Sequence, residues 1–579
     1  VSDRRYLVVA LVAIAASITG LANDWAYDDG PMIHLNQRIH GLSNWRILLT
    51  TPFWPPPWHE EHYRPVTSLL LALQWTVGGG APVVFRVTSY LLYAAVSVAL
   101  YRLARRLLPS GPALAAALLF AAHPVHVEAV APAVSQSELL VGLLAALMVI
   151  RYLECRRSRT GRLGRTDWMV LGGMYLVASL SKEHGMILPV LLLAAEVFLL
   201  PGGTDATGGG TLAARIKHLW PGYTFLAGIA AGVVLLRLAL LGGQFSGQWT
   251  TEALHGLSLG GRVLTMLAVV VQWARLLVWP AHLRLDYAPQ EMIASTGFGP
   301  AEAAGLVLVV ATLGAIWFSR HRVPVSAFGL AWMVLALAPV SNVLIPTGSL
   351  IAERLLFLPS AGFLLAIGGA VAATQPMWGG RRVRRAVAVV CGGLVAAGVA
   401  RSAERHWVWR HEAILTVRSV QDSPRSYRMQ RAYGDVLFRL GEDSLALDAY
   451  RRALELVPPT HAWLVRNQLA RRLWERGRHE EEVAHLLESL RQRPEQEDTR
   501  AYLIAAYLVL GRYDDAARES EQALARGPTT PEVFVRLRAL ADSAALAGAA
   551  PGTVRVGIRT GAMLRDQFRG GGGGGTGPL

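Results

Sequence analysis

Runs of 15–25 apolar residues recur through the first 400 positions, among them "VVFRVTSYLLYAAVSVALYRLA" and "RAVAVVCGGLVAAGVA". In lipid every backbone polar group must be satisfied internally, so runs of this length read as membrane-crossing helices. The chain is 53% hydrophobic and 17% charged over 579 residues, which fits a polytopic, all-α membrane protein. The first run, 6–22, is preceded by no signal-peptide cleavage pattern and is expected to be a retained span.

The expected spans are 6–22, 82–107, 112–131, 133–152, 167–181, 184–200, 219–241, 302–318, 324–340, 354–373 and 384–400. Between them lie the basic loops "RRLLPSG", "RYLECRRSRTGRLGR", "RIKH", "SRHRV" and "GGRRVRR". Cytoplasmic loops carry excess Lys and Arg. All five basic loops share one side only if the apolar helix 262–279 lies in the interface or re-enters. Eleven crossings follow, with the amino terminus inside and everything after about residue 401 outside. The outer segments are then 23–81, 242–301 and the carboxy-terminal region. The net charge of +15 is thereby explained by topology, and no nucleic-acid partner is expected. Cys155 and Cys391 are placed for neither a disulfide nor a zinc knuckle. A Val at position 1, read as a literally translated GTG start, and the Ala/Arg/Gly/Leu bias suggest a bacterium of high genomic GC content, and the expected location is its inner membrane.

Beyond the spans, Gly441, Gly477 and Gly511 are spaced by 36 and 34 residues, and so are Pro458, Pro494 and Pro528. Gly434, Ala446, Tyr450, Ala453 and Pro458 occupy tetratricopeptide positions in one unit, and Tyr507, Ala516, Ala523 and Pro528 in another. Such hairpins cover one another's apolar faces and stack into an α-solenoid. The expected organisation is a membrane domain over 1–405, a connector over 406–423 and repeats over 424–550, with a capping helix near 531–547. A glycine-rich flexible tail, 551–579, follows.

Five polar clusters fall on the expected outer side: Asp28 and Asp29, "HEEHYRP" (59–65), "HPVHVE" (123–128), "SKEHG" (181–185) and "GSLIAERLLFLPS" (348–360). Converging ionisable groups at a membrane boundary point to function. They suit transfer of a sugar from a lipid phosphate to a hydroxyl. A carboxylate, Asp28 or Asp29, takes the acceptor's proton, while Arg64, Lys182 and Arg354 grip the departing phosphate. Direct displacement inverts the anomeric carbon. Each cluster also has a plainer reading. "DDGP" is good turn chemistry, Lys182 and Glu183 can snorkel, Glu353 and Arg354 can pair at the interface, and "FWPPPW" can anchor. His123, His126 and Glu128, like "HEEH", have the look of metal ligands but not the HExxH spacing, so hydrogen-bonding or substrate contact is expected of them.

The ordered segments "DDGPMIHLN", "HYRPVTSLLLALQW", "AAHPVHVEAVA", "SLSKEHGMILPVLLL", "WPAHLRLDYAP" and "SNVLIPTGSLIAERLLFLPSAGF", followed by repeats, resemble the TMTC proteins. These are membrane O-mannosyltransferases of the GT-C class. The resemblance implies a GT-C fold, a polyprenyl-phosphate-linked sugar as donor, and a protein acceptor met by the repeats. It implies no cofactor and no catalytic metal. Carried onto this chain, Asp28 is the catalytic acid with Asp29 beside it, Arg64 matches the arginine of "YRP", and Lys182–Glu183 and Glu353–Arg354 match outer-face charged pairs. Ser137, in "VSQSELL", stands where many relatives have an arginine. Two other readings remain open at this point: transfer to an envelope lipid or polysaccharide, and a non-enzymatic scaffold built on the repeats. A transporter fits less well, because the charges gather at one face rather than at the midplane.

Overall fold

The computed structural model describes residues 4–56, 62–158, 161–200, 212–243, 251–287, 289–377, 380–554 and 556. Among these the protein is helical, with no strand. It divides into two compact units, Val1–Tyr287 with Met292–Ser423, and Ala288–Glu291 with Pro424–Leu579.

In the first unit seven helices are long and apolar enough to cross a bilayer: Pro82–Leu107, Ala133–Arg156, Leu212–Leu240, Leu259–Val278, Pro300–Ser319, Glu353–Met377 and Arg381–Val408. Ser110–Ala121 and Pro124–Val130 make an eighth if the 45° bend between them lies within one span. Pro82–Leu107 and Pro300–Ser319 open on proline, as do the shorter helices Pro65–Gly78 and Pro324–Leu337, at a position where a missing N–H costs nothing. The expected spans thus fall into two length classes. Arg165–Ser181 and Leu188–Leu199 have 17 and 12 residues, short of the ~20 that a straight crossing takes. Leu259–Val278, expected over 262–279 to lie in the interface or to re-enter, meets the same length and hydropathy criteria as the other long helices.

Ala133–Arg156 is central, and its apolar side chains join those of Pro82–Leu107, Ser110–Ala121 and Glu353–Met377 in one core. Leu212–Leu240, Pro300–Ser319 and Arg381–Val408 instead leave Leu235, Val307, Val310, Phe318, Val389 and Val390 largely uncovered. Facing water, such surfaces would be an aggregation hazard; facing acyl chains they need no cover. Leu259–Val278 and Pro300–Ser319 touch at Gly305, where a Cβ would lie 1.9 Å from the Leu267 carbonyl oxygen. We therefore expect Gly305→Val to push the pair apart and to cost roughly 1–3 kcal/mol, read as a lower thermal midpoint in detergent.

The helix ends sort by charge. At the carboxyl ends of Pro82–Leu107 and Gln136–Arg156, Arg102 and Arg106 meet Glu154, Arg151 meets Asp167, and Arg156 meets Glu196. The amino ends of the same two helices lie near Asp29 through Arg86, Ala133 and Val134. The candidate site gathers at this opposite end.

The second unit holds Tyr427–Leu440, Asp443–Leu456, Ala462–Glu475, His479–Gln492, Glu497–Val509, Tyr513–Ala525 and Pro531–Leu546, successive helices packed one on the next. Gly441, Gly477 and Gly511 turn the chain between paired helices at φ of 83°, 70° and 74°, which side chains with a Cβ rarely adopt. Ala446, Tyr450 and Ala453 are fully buried, and a Cβ on Gly434 would meet the Tyr450 ring at 2.5 Å. Residues 557–579 of the expected tail lie outside the described residues.

Candidate functional site

The first helix, Arg5–Ser17, runs out through a short turn, Ile18–Gly20, into the loop that carries the acidic pair. That loop is held from a distant part of the chain. Thr19 Oγ1 donates to the Ala403 carbonyl (2.6 Å), Asn23 Nδ2 to that of His406 (2.8 Å), and the Asp24 N–H to that of Arg410 (2.8 Å). The Tyr27 N–H donates to Glu412 Oε2 at 2.7 Å. Tyr27 has φ 55°, and the left-handed region costs a residue with a Cβ about 1–2 kcal/mol.

The two acids part company here. Asp29 is fully buried; its carboxylate accepts from Arg86 Nη1 at 2.8 Å and from the backbone N–H groups of Ala133 and Val134 at 3.0 Å each. Arg86, 2% exposed, also donates to the carbonyls of Ala131, Asp24 and, at 3.5 Å, Asn23. Asp28 is partly exposed, and among the described residues its carboxylate accepts no hydrogen bond. Dehydration pushes the Asp28 carboxyl up to about 6; Arg354 opposes the rise, and Asp29, Glu128 and Glu412 add to it. One carboxylate is therefore locked, and the other is available to take a proton.

Each expected phosphate ligand stands beside an acid of its own. Arg64 forks onto Glu183, with Nε 3.0 Å and Nη2 2.7 Å from Oε2. Arg237 lies 3.7 Å from the same residue. Burial alone would raise Glu183, but Arg64 foremost holds it well below the usual carboxylate range. Lys182 turns inward to Glu138 rather than snorkelling, and His184 Nε2 is 3.2 Å from the other oxygen of Glu138. Arg354 pairs with Glu128 through both its backbone N–H (3.0 Å) and its guanidinium. Glu353, adjacent, points elsewhere: it accepts from the Arg284 N–H (2.5 Å) and the Tyr287 hydroxyl (3.1 Å).

The histidines of "HPVHVE" are interior. His123 Nε2 donates to the Leu277 carbonyl (3.0 Å) while its Nδ1 accepts from the Val125 N–H (3.3 Å). His126 sits between the hydroxyls of Tyr93 (2.9 Å) and Ser360 (2.8 Å). Neither ring is directed at Asp28 by any of these contacts. Among the described residues no three His, Cys, Asp or Glu side chains stand together as a metal set. His59, Glu60 and Glu61 of "HEEH" lie outside the described residues. His62 is held neutral, its imidazolium pushed down to about 3 by burial and by Arg64.

The pairs join into one electrostatic chain. Arg354 is within reach of Asp28, Glu128 and Glu138, Lys182 within reach of Arg354 and Arg64, and Arg64 is bound to Glu183. Four participants escaped sequence reasoning: Arg86, Glu138, Arg237 and Glu412. The signal for the first three was a charge inside an apolar run, where an ionisable residue normally has a partner. Ser137, next to Glu138, is buried, with its hydroxyl 3.4 Å from the Val134 carbonyl.

Residues 61–234 match the family model described as Dolichyl-phosphate-mannose-protein mannosyltransferase. The chain is 24% identical over 475 residues to Protein O-mannosyl-transferase TMTC3 of Mus musculus, covering 78% of this chain and 51% of that protein. It is 24% identical over 515 residues to Protein O-mannosyl-transferase Tmtc3 of Drosophila melanogaster, covering 78% and 55%. With Protein O-mannosyl-transferase TMTC4 of Homo sapiens it shares 26% over 499 residues, covering 77% and 65%. The chain thus spans about half to two thirds of the length of these curated relatives. No solved structure matches it. The resemblance read from its ordered motifs holds along most of the chain.

Proposed function

We propose, starting from a membrane chain that is TMTC-like over most of its length, that it transfers a mannosyl group from a polyprenyl phosphate to a serine or threonine hydroxyl of a protein. The basic loops face the cytoplasm of a bacterial inner membrane, and the Asp28 cluster opens on the other side. The repeats of 424–550 present the acceptor segment there.

The observation that carries this reading is the contrast within the acidic pair: Asp29 is saturated with donors, while among the described residues Asp28 accepts no hydrogen bond and its carboxyl is pushed up to about 6. The acceptor's O–H proton passes to the Asp28 carboxylate as its oxygen bonds to the anomeric carbon from the face opposite the phosphate. The bond from that carbon to the phosphate oxygen breaks, and its electron pair leaves on the lipid phosphate. The products are an inverted glycoside, polyprenyl phosphate and protonated Asp28. Arg354, Lys182 and Arg64 balance the charge that develops on the departing phosphate. Asp29, Glu128 and Glu183 hold these groups in place, Glu353 fixes the segment that carries Arg354, and His123 and His126 brace the turn that carries Glu128.

Turnover of purified protein with polyprenyl-phosphate mannose and a Ser/Thr peptide tests the reading, and no transfer to any hydroxyl acceptor would overturn it. Because the base must be ionised, kcat/KM should fall as pH drops through about 6. Arg354→Ala should lower kcat/KM by roughly 10²–10³. Arg354→Lys, which keeps the charge and loses the fork, should recover part of that loss, measured on the same substrate pair.

A further inference from the structure

We infer that Glu412 is a positioning residue for Asp28, acting on the base's loop from the segment that leads in sequence to the repeats. The inference rests on Asp28 serving as the base.

Glu412 opens the helix Glu412–Asp422, a place where an acid is at home beside the free N–H groups of a first turn. Its side chain does something else. Oε2 accepts the Tyr27 N–H at 2.7 Å, across 385 positions of sequence. A carboxylate is a stronger acceptor for an amide than a neutral group, and this amide needs a strong partner. Tyr27 is one of two non-glycine residues with positive φ among the described residues, and the peptide it starts leads straight into Asp28. A tyrosine side chain has no intrinsic preference for that conformation. The Tyr27 ring meets Trp409 edge to face at 6.3 Å, and the Asp24 N–H is tied to the Arg410 carbonyl. The stretch 409–412 therefore holds the loop at three points, and Glu412 holds the one beside the base.

Glu412 also contributes charge. The groups that face Asp28 are Arg354, Asp29, Glu128 and Glu412. Arg354 favours the ionised carboxylate, whereas Glu412 and the other two acids oppose it. Removing the Glu412 charge while keeping its hydrogen bond moves Asp28 toward a weaker base.

The test uses the full chain with polyprenyl-phosphate mannose and peptide, across pH, with Asp28→Asn measured alongside. Glu412→Gln keeps an acceptor for the Tyr27 N–H; its kcat near pH 7.5 should stay within about threefold, and the acid limb of its pH profile should move to lower pH. Glu412→Ala should lower kcat by about 10–100-fold with the donor KM unchanged. Tyr27→Gly, free to hold positive φ without help, should restore at least a third of the wild-type kcat when combined with Glu412→Ala. Thermal midpoints measured alongside separate the two cases, because a general folding defect would lower the midpoint and kcat of Glu412→Ala together. If Glu412→Ala matches wild type in kcat and acid limb while Asp28→Asn is dead, the positioning role is wrong and the base stands. The same holds if the double variant is no faster than Glu412→Ala. If Asp28→Asn is fully active, the assignment of the base fails, and the role of Glu412 with it.

Discussion

Asp28→Asn should lower kcat by roughly 10²–10⁴, the range general-base catalysis contributes, while raising the thermal midpoint of the protein at pH 7.5. The two effects share one cause. The Asp28 carboxyl is pushed from 3.8 up to about 6, so the folded protein holds a proton that the unfolded chain would release. Above about pH 6 the ionised carboxylate opposes folding; below 3.8 it is protonated in both states and opposes nothing. An asparagine carries no charge to dehydrate. Its stabilising effect should therefore be full at pH 7.5 and fade as pH falls below about 6, followed by fluorescence-detected melting in detergent. A variant that is slow but less stable at pH 7.5 would contradict this account of the site.

The second large effect belongs to the locked acid. Arg86→Met removes the only side-chain cation that any described contact gives Asp29, and it strands the carbonyls of Asp24 and Ala131. Breaking a buried ion pair from one side typically costs about 3–5 kcal/mol. The expected result is a large fall in thermal midpoint and in yield, with whatever transfer activity survives falling in step. Asp29→Asn on the Arg86→Met background removes the stranded charge, and its amide oxygen can still accept from Ala133 or Val134. The double variant should thus be at least as stable as Arg86→Met alone. Strictly additive losses would show that the two residues act independently.

The all-helical, many-helix character of the chain was legible because apolar runs encode burial in lipid directly. The residues of the site were partly legible for a similar reason: "DDGP", "YRP", "SKEHG" and "IAERLL" put charge beside apolar runs, where charge is costly. Their partners were not. Glu138 lies 44 residues from Lys182, Arg86 lies 57 from Asp29, and Glu412 lies 385 from Tyr27. Periodicity reports which face of a helix is apolar and is silent on which distant carboxylate meets which cation. The different fates of Asp28 and Asp29 were hidden for the same reason, since neighbours in sequence were separated by contacts that come from Pro82–Leu107 and from the turn before Gln136. Helix lengths were only roughly visible, as the 17 and 12 residues of Arg165–Ser181 and Leu188–Leu199 show.

The pairing of Arg64, Lys182 and Arg354 with Glu183, Glu138 and Glu128 bears on how such a site would empty itself. If these cations receive the donor phosphate as proposed, the phosphate would have to displace a resident carboxylate, and the net gain would be the difference between two ion pairs. On that reading ground-state affinity for the lipid anion would be modest, and the extra charge of the transition state would tip the exchange. As the spent carrier left, the resident acids would close back on their partners, which they already hold in the unliganded protein. On the same reading, product inhibition by polyprenyl phosphate should be weak, a fast-emptying resting state measured by adding the spent lipid to the transfer assay.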